Sequence, residues 1–221
     1  MTLQEFKGRH KGKQALIAGC GVTLSQVNPD EFKDSIIICV NDSLLHFPKA
    51  DYFFATDTYV TKEKAIYEVN RKVKDVIVCE DLHGYQKEFG VEDERFHKVF
   101  RKPGWVMKDD DLRLIQGMDA VQCAVHFAII LGCSPVVLVG CDCKQIDGKH
   151  YFWETQPTKV SMTGLNLSNE GLYLMNLANR NAPIFNASPD SAMRGIKHAP
   201  IEKFKDNPTK ITTQDHKFEG E

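Results

Sequence analysis

The stretch Asp119 to His150, DAVQCAVHFAIILGCSPVVLVGCDCKQIDGKH, constrains this chain more than any other. Val121, Ala124, Val125, Ala128, Ile129 and Leu131 recur at helical spacing, and Gly132 stands where a left-handed residue closes a helix, so the helix is predicted to stop at Leu131. Pro135 to Gly140 (PVVLVG) follows at once. A short, continuously apolar, β-branched run suits a strand covered on both faces of a parallel sheet. Asp142 then leaves that strand at its carboxyl end. Ligands of open α/β sheets bind beyond the carboxyl ends of the strands, so Asp142, Asp147, Lys149 and His150 fall where chemistry is expected. A solvated polar loop is the competing reading.

The same order repeats along the chain. Gln14 to Ala18 reads as a first strand, followed by the turn Gly19-Cys20-Gly21-Val22-Thr23-Leu24. Asn28-Pro29-Asp30-Glu31 reads as a helix start, with Asn as cap and Pro in the first turn. Ser35 to Val40, Tyr52 to Ala55, Val76 to Cys79 and Pro183 to Ala187 are further short strands, and Lys62 to Val73 and Ser168 to Arg180 are predicted helices. Three strands therefore end in small polar or acidic residues, at Asn41-Asp42, Thr56-Asp57-Thr58 and Asp142, which is the physical case for one site. Residues 81–116 are mixed in charge and weakly periodic, and are expected to cover one end of the cleft. Residues 144–167 lack periodicity and read as a functional lid loop or a disordered segment.

One α/β domain with a mostly parallel sheet flanked by helices accounts for residues 1–204, and 205–221 form a polar tail expected to be flexible. A 221-residue chain with 42% hydrophobic residues can bury a full core. Its net charge of −2 supplies no global attraction to nucleic acid, and the basic start Lys7, Arg9, Lys11, Lys13 reads as a solvated face. The sequence has no apolar run of about 18 residues and no signal-like segment, so no transmembrane span and a cytoplasmic location are expected. Seven cysteines, an odd number, lie mostly in or beside core elements and read as reduced. Cys141-Asp142-Cys143 lacks the second pair that tetrahedral zinc requires.

The candidate site residues each have a bland alternative. Gly19, Cys20, Gly21 and Thr23 could bring backbone amides to a phosphate, because glycine removes the Cβ from an anion's path. A tight structural turn explains them equally well, and the run matches neither a dinucleotide fingerprint nor a P-loop. Asn41 and Asp42 could bond a base, a sugar or a phosphate-bound metal, or simply form an Asx turn. Asp57 and Asp142 could share a divalent cation. His150 could act as a general base or donate to a phosphate, or be a solvent-exposed loop histidine. Ser188 and Ser191 could bond phosphate, or cap a following helix. His126, inside the apolar helix, reads as a core histidine.

In combination, the GCGVTL turn, IIICVND, YFFATD and CAVHFAIILGCSPVVLVGCDCKQIDGKHYF resemble the bacterial lipooligosaccharide sialyltransferases and their relatives, over about residues 14–195. Those relatives are the hydroxymethylpterin diphosphokinase-like proteins and the central domain of motility accessory factors. The resemblance implies a Rossmann-like domain that binds a cytidine nucleotide-sugar and needs no metal. Gly19, Gly21 and Thr23 would approach phosphate, Asn41 and Asp57 the nucleotide and sugar, and Asp142 the ribose or base. Cys20 and Val22 replace the Asn and Pro of the family's A-G-N-G-P-S-L run, and Ser161 to Asn166 lacks the family's Gly-His-Ser histidine. The run Asp147-Gly148-Lys149-His150 is closer to the diphosphokinase-like branch, for which magnesium would be the cofactor, held by Asp57 and Asp142, with Lys149 or His150 facing phosphate.

The expected function is a nucleotide-sugar-dependent glycosyltransferase acting on a glycan or small-molecule acceptor, with His150 and Asp142 as catalytic residues. The alternatives are a magnesium-dependent diphosphotransferase and a non-catalytic nucleotide-binding relative. A homo-oligomer is left open.

Overall fold

The computed structural model describes residues 3–55, 73, 75–79, 96–102, 114–116, 119–157, 182–189 and 191–205. The expected helices at 62–73 and 168–180 lie outside these residues apart from Val73, which is buried. The same holds for Asp57, the second half of the expected lid and nearly all of the tail. Lys205, the tail's first residue, pairs with Glu31 at 2.9 Å.

Among the described residues, nine strands form one sheet: β1 (Ala15–Ala18), β2 (Ile36–Val40), β3 (Tyr52–Ala55), β4 (Asp75–Cys79), β5 (Phe96–Lys102), β6 (Leu114–Gln116), β7 (Val136–Val139), β8 (Ile184–Asn186) and β9 (Lys197–His198). Their order is β6-β5-β4-β3-β2-β1-β7-β8-β9, and each of the pairings is parallel. From β1 the chain builds outward through β2 to β6, then returns to lay β7 against the other side of β1. The direction of build reverses between β1 and β7, which makes the crevice beyond their carboxyl ends the topological switch point.

Alternate side chains of these strands enter two cores. Ala15, Ile17, Ile36, Ile38, Tyr52, Phe54, Val136 and Leu138 face one layer with α1 (Leu3–Phe6) and α2 (Ala120–Ile130). Leu16, Ala18, Ile37, Cys39, Phe53, Val137, Val139 and Phe185 face the other, under Leu24, Val27, Phe32, Leu44 and Phe204. This two-sided burial is why the strands read as unbroken apolar runs. α2 is buried at Ala120, at Gln122 through Ala128 and at Ile130, as a helix that is apolar nearly all round must be. His126 is 5% exposed, in keeping with a core histidine.

The ends of α2 are closed by specific bonds. Asp119 Oδ1 accepts from Gln122 N at 2.9 Å, and Gly132 takes φ +81° beyond the helix end. The N-terminal segment supplies three amides to the other end, Gly8 N to Ile130 O, His10 N to Leu131 O and Gly12 N to Gly132 O, each at 2.8 Å. Removing the cap with Asp119→Ala is expected to cost about 1 kcal/mol, or about 2–4 °C in melting temperature for a chain of this size. Calorimetry showing no loss would mean that tertiary packing alone fixes the helix start.

Three expectations change. Residues 81–116 do not merely cover a cleft end, since their described parts are β5 and β6, which extend the sheet. Asn28 does cap a turn, accepting from Asp30 N at 3.1 Å, but the element it starts is a single 3-10 turn, Pro29–Phe32. Only three residues separate Phe32 from β2, too few for an α-helix to continue. Arg9, expected on a solvated face, lies 3.3 Å from Asp75 and 4.3 Å over the Phe6 ring.

Candidate functional site

The carboxyl ends of β2, β1, β7 and β8 are neighbours, and each opens into a segment singled out above. From β1 comes the glycine turn, from β2 Asn41 and Asp42, from β7 Cys141 and Asp142, and from β8 Ser188 and Ser191. The sheet order thus joins residues as far apart in the sequence as Gly19 and Ser191.

The glycine turn is packed tightly against the end of β7. Gly19 N donates to Val139 O at 2.8 Å and Gly21 N to Gly140 O at 2.7 Å. A Cβ on Gly19 would come within 2.6 Å of Gly140 O, and one on Gly21 within 2.6 Å of Asp142 Oδ2. Backbone approach therefore does require glycine at both positions, but the approach is to the β7 loop.

Asp142 locks that contact. It is 2% exposed. Its Oδ2 accepts from Thr23 N at 3.0 Å, and its Oδ1 accepts the Thr23 hydroxyl. Val22 N also bonds the carboxylate. Burial raises the carboxyl above its ordinary range, while the Thr23 donors, Val22 N and the Lys144 charge pull it back. The turn's amides thus face a carboxylate supplied by the chain itself, in the geometry that would suit a bound anion.

The neighbouring residues divide by what they touch. Cys20 Sγ donates to Val40 O at 3.2 Å, and burial, aided by the Asp42 carboxylate, pushes its thiol up to about 12. It is a neutral thiol, not a nucleophile. Ser43 ties the two strand ends together, accepting from Val40 N at 2.9 Å and donating to Ala18 O at 2.7 Å. Asn41 stands at φ +52°, and its Oδ1 is buried with no hydrogen-bond partner among the described residues. An orphaned acceptor of this kind is costly unless a donor arrives.

Ser188 and Ser191 join β8 to β7. Ser188 Oγ accepts from Cys141 N at 2.8 Å, and Ser191 Oγ donates to Cys141 O at 2.6 Å. Asn186, which the sequence did not mark, completes the seam through Ser188 N and Ser191 Oγ. Its place at the end of an apolar strand was the available signal.

His150 sits in the described half of the expected lid. Its Nε2 lies 2.6 Å from Gln145 Nε2, and its backbone N donates to Glu154 Oε2 at 2.6 Å. The amide can only donate, so His150 Nε2 carries the lone pair. Two residues on, Phe152 N donates to Cys20 O at 3.1 Å, and the Phe152 ring lies 5.8 Å from that of His46. The loop is thereby seated on the glycine turn.

A cavity of about 450 Å³ opens beside the turn, lined by Thr23, Gln26, Gly140, Ser188, His198 and Glu202. A wider cleft of about 1000 Å³ lies toward the amino ends of β1 to β3, where Lys13, Lys33 and Lys49 are interspersed with Asp30, Asp34 and Asp51. That cleft is remote from the switch point, and its balanced charges favour neither sign of ligand. The smaller cavity is the better candidate because it touches the assembled loops.

The architecture has a solved counterpart. It resembles a MAf glycosyltransferase. The MAf glycosyltransferase from Magnetospirillum magneticum AMB-1 matches with a TM-score of 0.58 and 12% sequence identity, over 96% of this chain and 38% of that one. The chain thus spans well under half the length of that protein, and the likeness is one of fold. Of the relatives suggested by the sequence, the motility accessory factors are the ones with this structural counterpart, which does not distinguish the sialyltransferase from the diphosphokinase naming. No protein-family model matches the sequence, and no curated protein matches it.

Among the described residues, no group of three or more His, Cys, Asp or Glu is arranged to hold a metal ion. Asp57, the proposed partner of Asp142 on magnesium, lies outside those residues. No described helix is long and apolar enough to cross a membrane.

Proposed function

We propose that this protein transfers a sugar from a nucleotide-activated donor to an acceptor hydroxyl at the carboxyl edge of β2, β1, β7 and β8. The observation that carries the reading is the convergence of the glycine turn, Asn41-Asp42, Asp142 and Ser188-Ser191 at a topological switch point. The fold likeness to a MAf glycosyltransferase supports the reaction class.

In this scheme the donor lies along the edge, with the buried Asn41 Oδ1 accepting from a ribose hydroxyl or an exocyclic base amine. Asp142 is a positioning residue, because its carboxylate already holds Thr23 and the turn. His150 is the base. The acceptor hydroxyl displaces the Gln145 amide from Nε2, gives up its proton there, and its oxygen forms the bond to the anomeric carbon. The bond from that carbon to the donor phosphate breaks, and the nucleotide leaves with the electron pair.

His150→Ala is expected to lower kcat by about 100-fold or more, as loss of a general base does, while nucleotide affinity changes less than threefold. Equal turnover in the variant would remove His150 from the mechanism.

The reading as a whole is tested by thermal shift with cytidine, uridine, guanosine and adenosine nucleotides, each with magnesium and with chelator. A ligand at 100 times its Kd adds about 2.7 kcal/mol, or about 5–11 °C here. Stabilisation by a cytidine nucleotide in chelator is the expected outcome. A response only to ATP with magnesium would transfer the site to diphosphoryl transfer, and no response to any nucleotide would remove both enzymes.

A further inference from the structure

Among the described residues, the large hydrophobic side chains left exposed are Leu45, Tyr151 and Trp153. They are not scattered. Leu45 precedes His46, Tyr151 and Trp153 flank Phe152, and the His46 and Phe152 rings meet at 5.8 Å. Tyr151 and Trp153 thus share one rim, and Phe152 N fastens that rim to Cys20 O of the glycine turn at 3.1 Å.

Tyr151 and Trp153 are stacked, with ring centroids 4.6 Å apart and planes 3° from parallel, yet each is more than a third exposed. Phe152 supports Trp153 edge-on at 5.0 Å and is itself packed on the second core. Glu154 fixes the turn below them, accepting from both His150 N and Tyr151 N. A stacked aromatic pair backed by a packed ring and left partly open to water marks an interaction site more than a structural need.

We propose that the Tyr151–Trp153 stack is the acceptor subsite, binding the apolar face of a pyranose ring. The proposal rests on the transferase reading and names the acceptor class for that same site. A sugar ring has one face of C–H groups, which the polarisable aromatic plane can cover, and a rim of hydroxyls that needs donors and acceptors. Gln145, Lys149 and His150 supply such groups within the same loop, with His150 on the neighbouring residue to take the acceptor's proton. A nucleobase is the weaker occupant, because none of Gln145, Lys149, His150, Tyr151 and Trp153 lines the cavity beside Thr23 and Ser188. Two substrates need two places, and the turn touches both, the rim through Cys20 O and the cavity through Thr23.

The chain has two tryptophans, Trp105 and Trp153, so Trp105→Phe leaves Trp153 as the sole reporter. The expected result is saturable quenching of its fluorescence by at least one of methyl β-galactoside, methyl β-glucoside, N-acetylglucosamine and N-acetylgalactosamine. In saturation-transfer NMR on the unaltered protein, the protons of one ring face should dominate. Trp153→Ala should abolish the transfer, and Tyr151→Ala should weaken binding at least fivefold, both retaining any nucleotide-induced thermal shift. If Trp153→Ala does not fold, Trp153→Phe should bind with reduced affinity. Transfer that persists unchanged in Trp153→Ala, or no response to any of the four sugars with nucleotide present or absent, overturns the subsite. Quenching by nucleotide alone, without competition from sugar, overturns it too and gives the rim to the donor. Nucleotide stabilisation without sugar binding removes the subsite and leaves the transferase, whereas sugar stacking without nucleotide stabilisation removes the transferase and leaves a sugar-binding rim.

Discussion

Gly21→Ala is expected to lower stability by about 3 kcal/mol, or about 6–12 °C in melting temperature, and to abolish nucleotide stabilisation. The backbone at Gly21 is ordinary, at φ −66° and ψ 162°, so an alanine suffers no conformational strain there. The penalty comes from crowding alone. The new Cβ would lie 2.6 Å from Asp142 Oδ2 and 2.7 Å from Gly140 O. Both are held, one by Thr23 and the other by Gly21 N, so relieving the clash means prying the glycine turn from β7 and leaving a buried carboxylate short of donors. Gly8→Ala is the matching control. Gly8 has φ +70° but open space around a Cβ, so only the left-handed conformation is penalised, at about 1–2 kcal/mol. A Gly21→Ala protein no less stable than Gly8→Ala would show that the turn relaxes freely and is not locked to β7.

The Thr23→Val variant, which keeps the side-chain shape and removes the hydroxyl, should lose about 2 kcal/mol near neutral pH, the scale of one hydrogen bond to a charged group. Its pH dependence separates this from loose packing. Folding raises the Asp142 carboxyl above its ordinary value of 3.8, so the native state holds its proton more tightly than the unfolded chain. Stability contributed by this group is therefore fully present below 3.8 and falls as pH rises through the raised value. Thr23 opposes that rise, and without its hydroxyl the carboxyl climbs further and the fall steepens. Urea titrations from acid to neutral pH should show the variant's deficit growing with pH. A deficit constant across the range would mean that the lost hydroxyl matters only as a packing atom. Asp142→Asn, with nothing to titrate at this position, should lack the slope.

The strands were legible in the sequence because both of their faces are buried. Where covering layers lie above and below, as at Leu16-Ile17 and Val137-Leu138, every position must be apolar, and the boundaries read from the sequence fall within a residue of those observed. β5, FHKVFRK, and β6, LIQ, lie toward one end of the sheet. Charge interrupts the run in β5, β6 is only three residues long, and neither gave a signal of strand. β9 is two exposed residues, Lys197 and His198, held as a strand by its neighbour and not by its own composition.

The candidate site was legible as a place and not as a set of bonds. Asp142 could be assigned to a strand end because position along a strand is a local property. That its carboxylate bonds Thr23, 119 positions earlier, is a property of how strands are ordered, which local pattern does not carry. The same holds for Ser188 and Ser191, whose hydroxyls serve Cys141 across the seam. Tyr151 and Trp153 illustrate the converse, since aromatic residues in sequence suggest cover for a core, and only the fold reveals which of three consecutive rings points inward.

The placement of β1 between β2 and β7 also sets the order in which the site can come into being. β1 and β2 are close in sequence and can pair while the rest of the chain is still being synthesised, presenting the glycine turn and Asn41 early. The carboxylate that engages the turn arrives only with Asp142, and the serine seam later still. Contacts across such separations are slow to form, because the chain between them must lose its freedom before the contact repays it. Until β7 docks, one edge of β1 stays open to any other strand in the vicinity, a state prone to self-association. Completion of the candidate site and protection from aggregation are therefore acquired in a single late event, when the returning chain closes against its first strand.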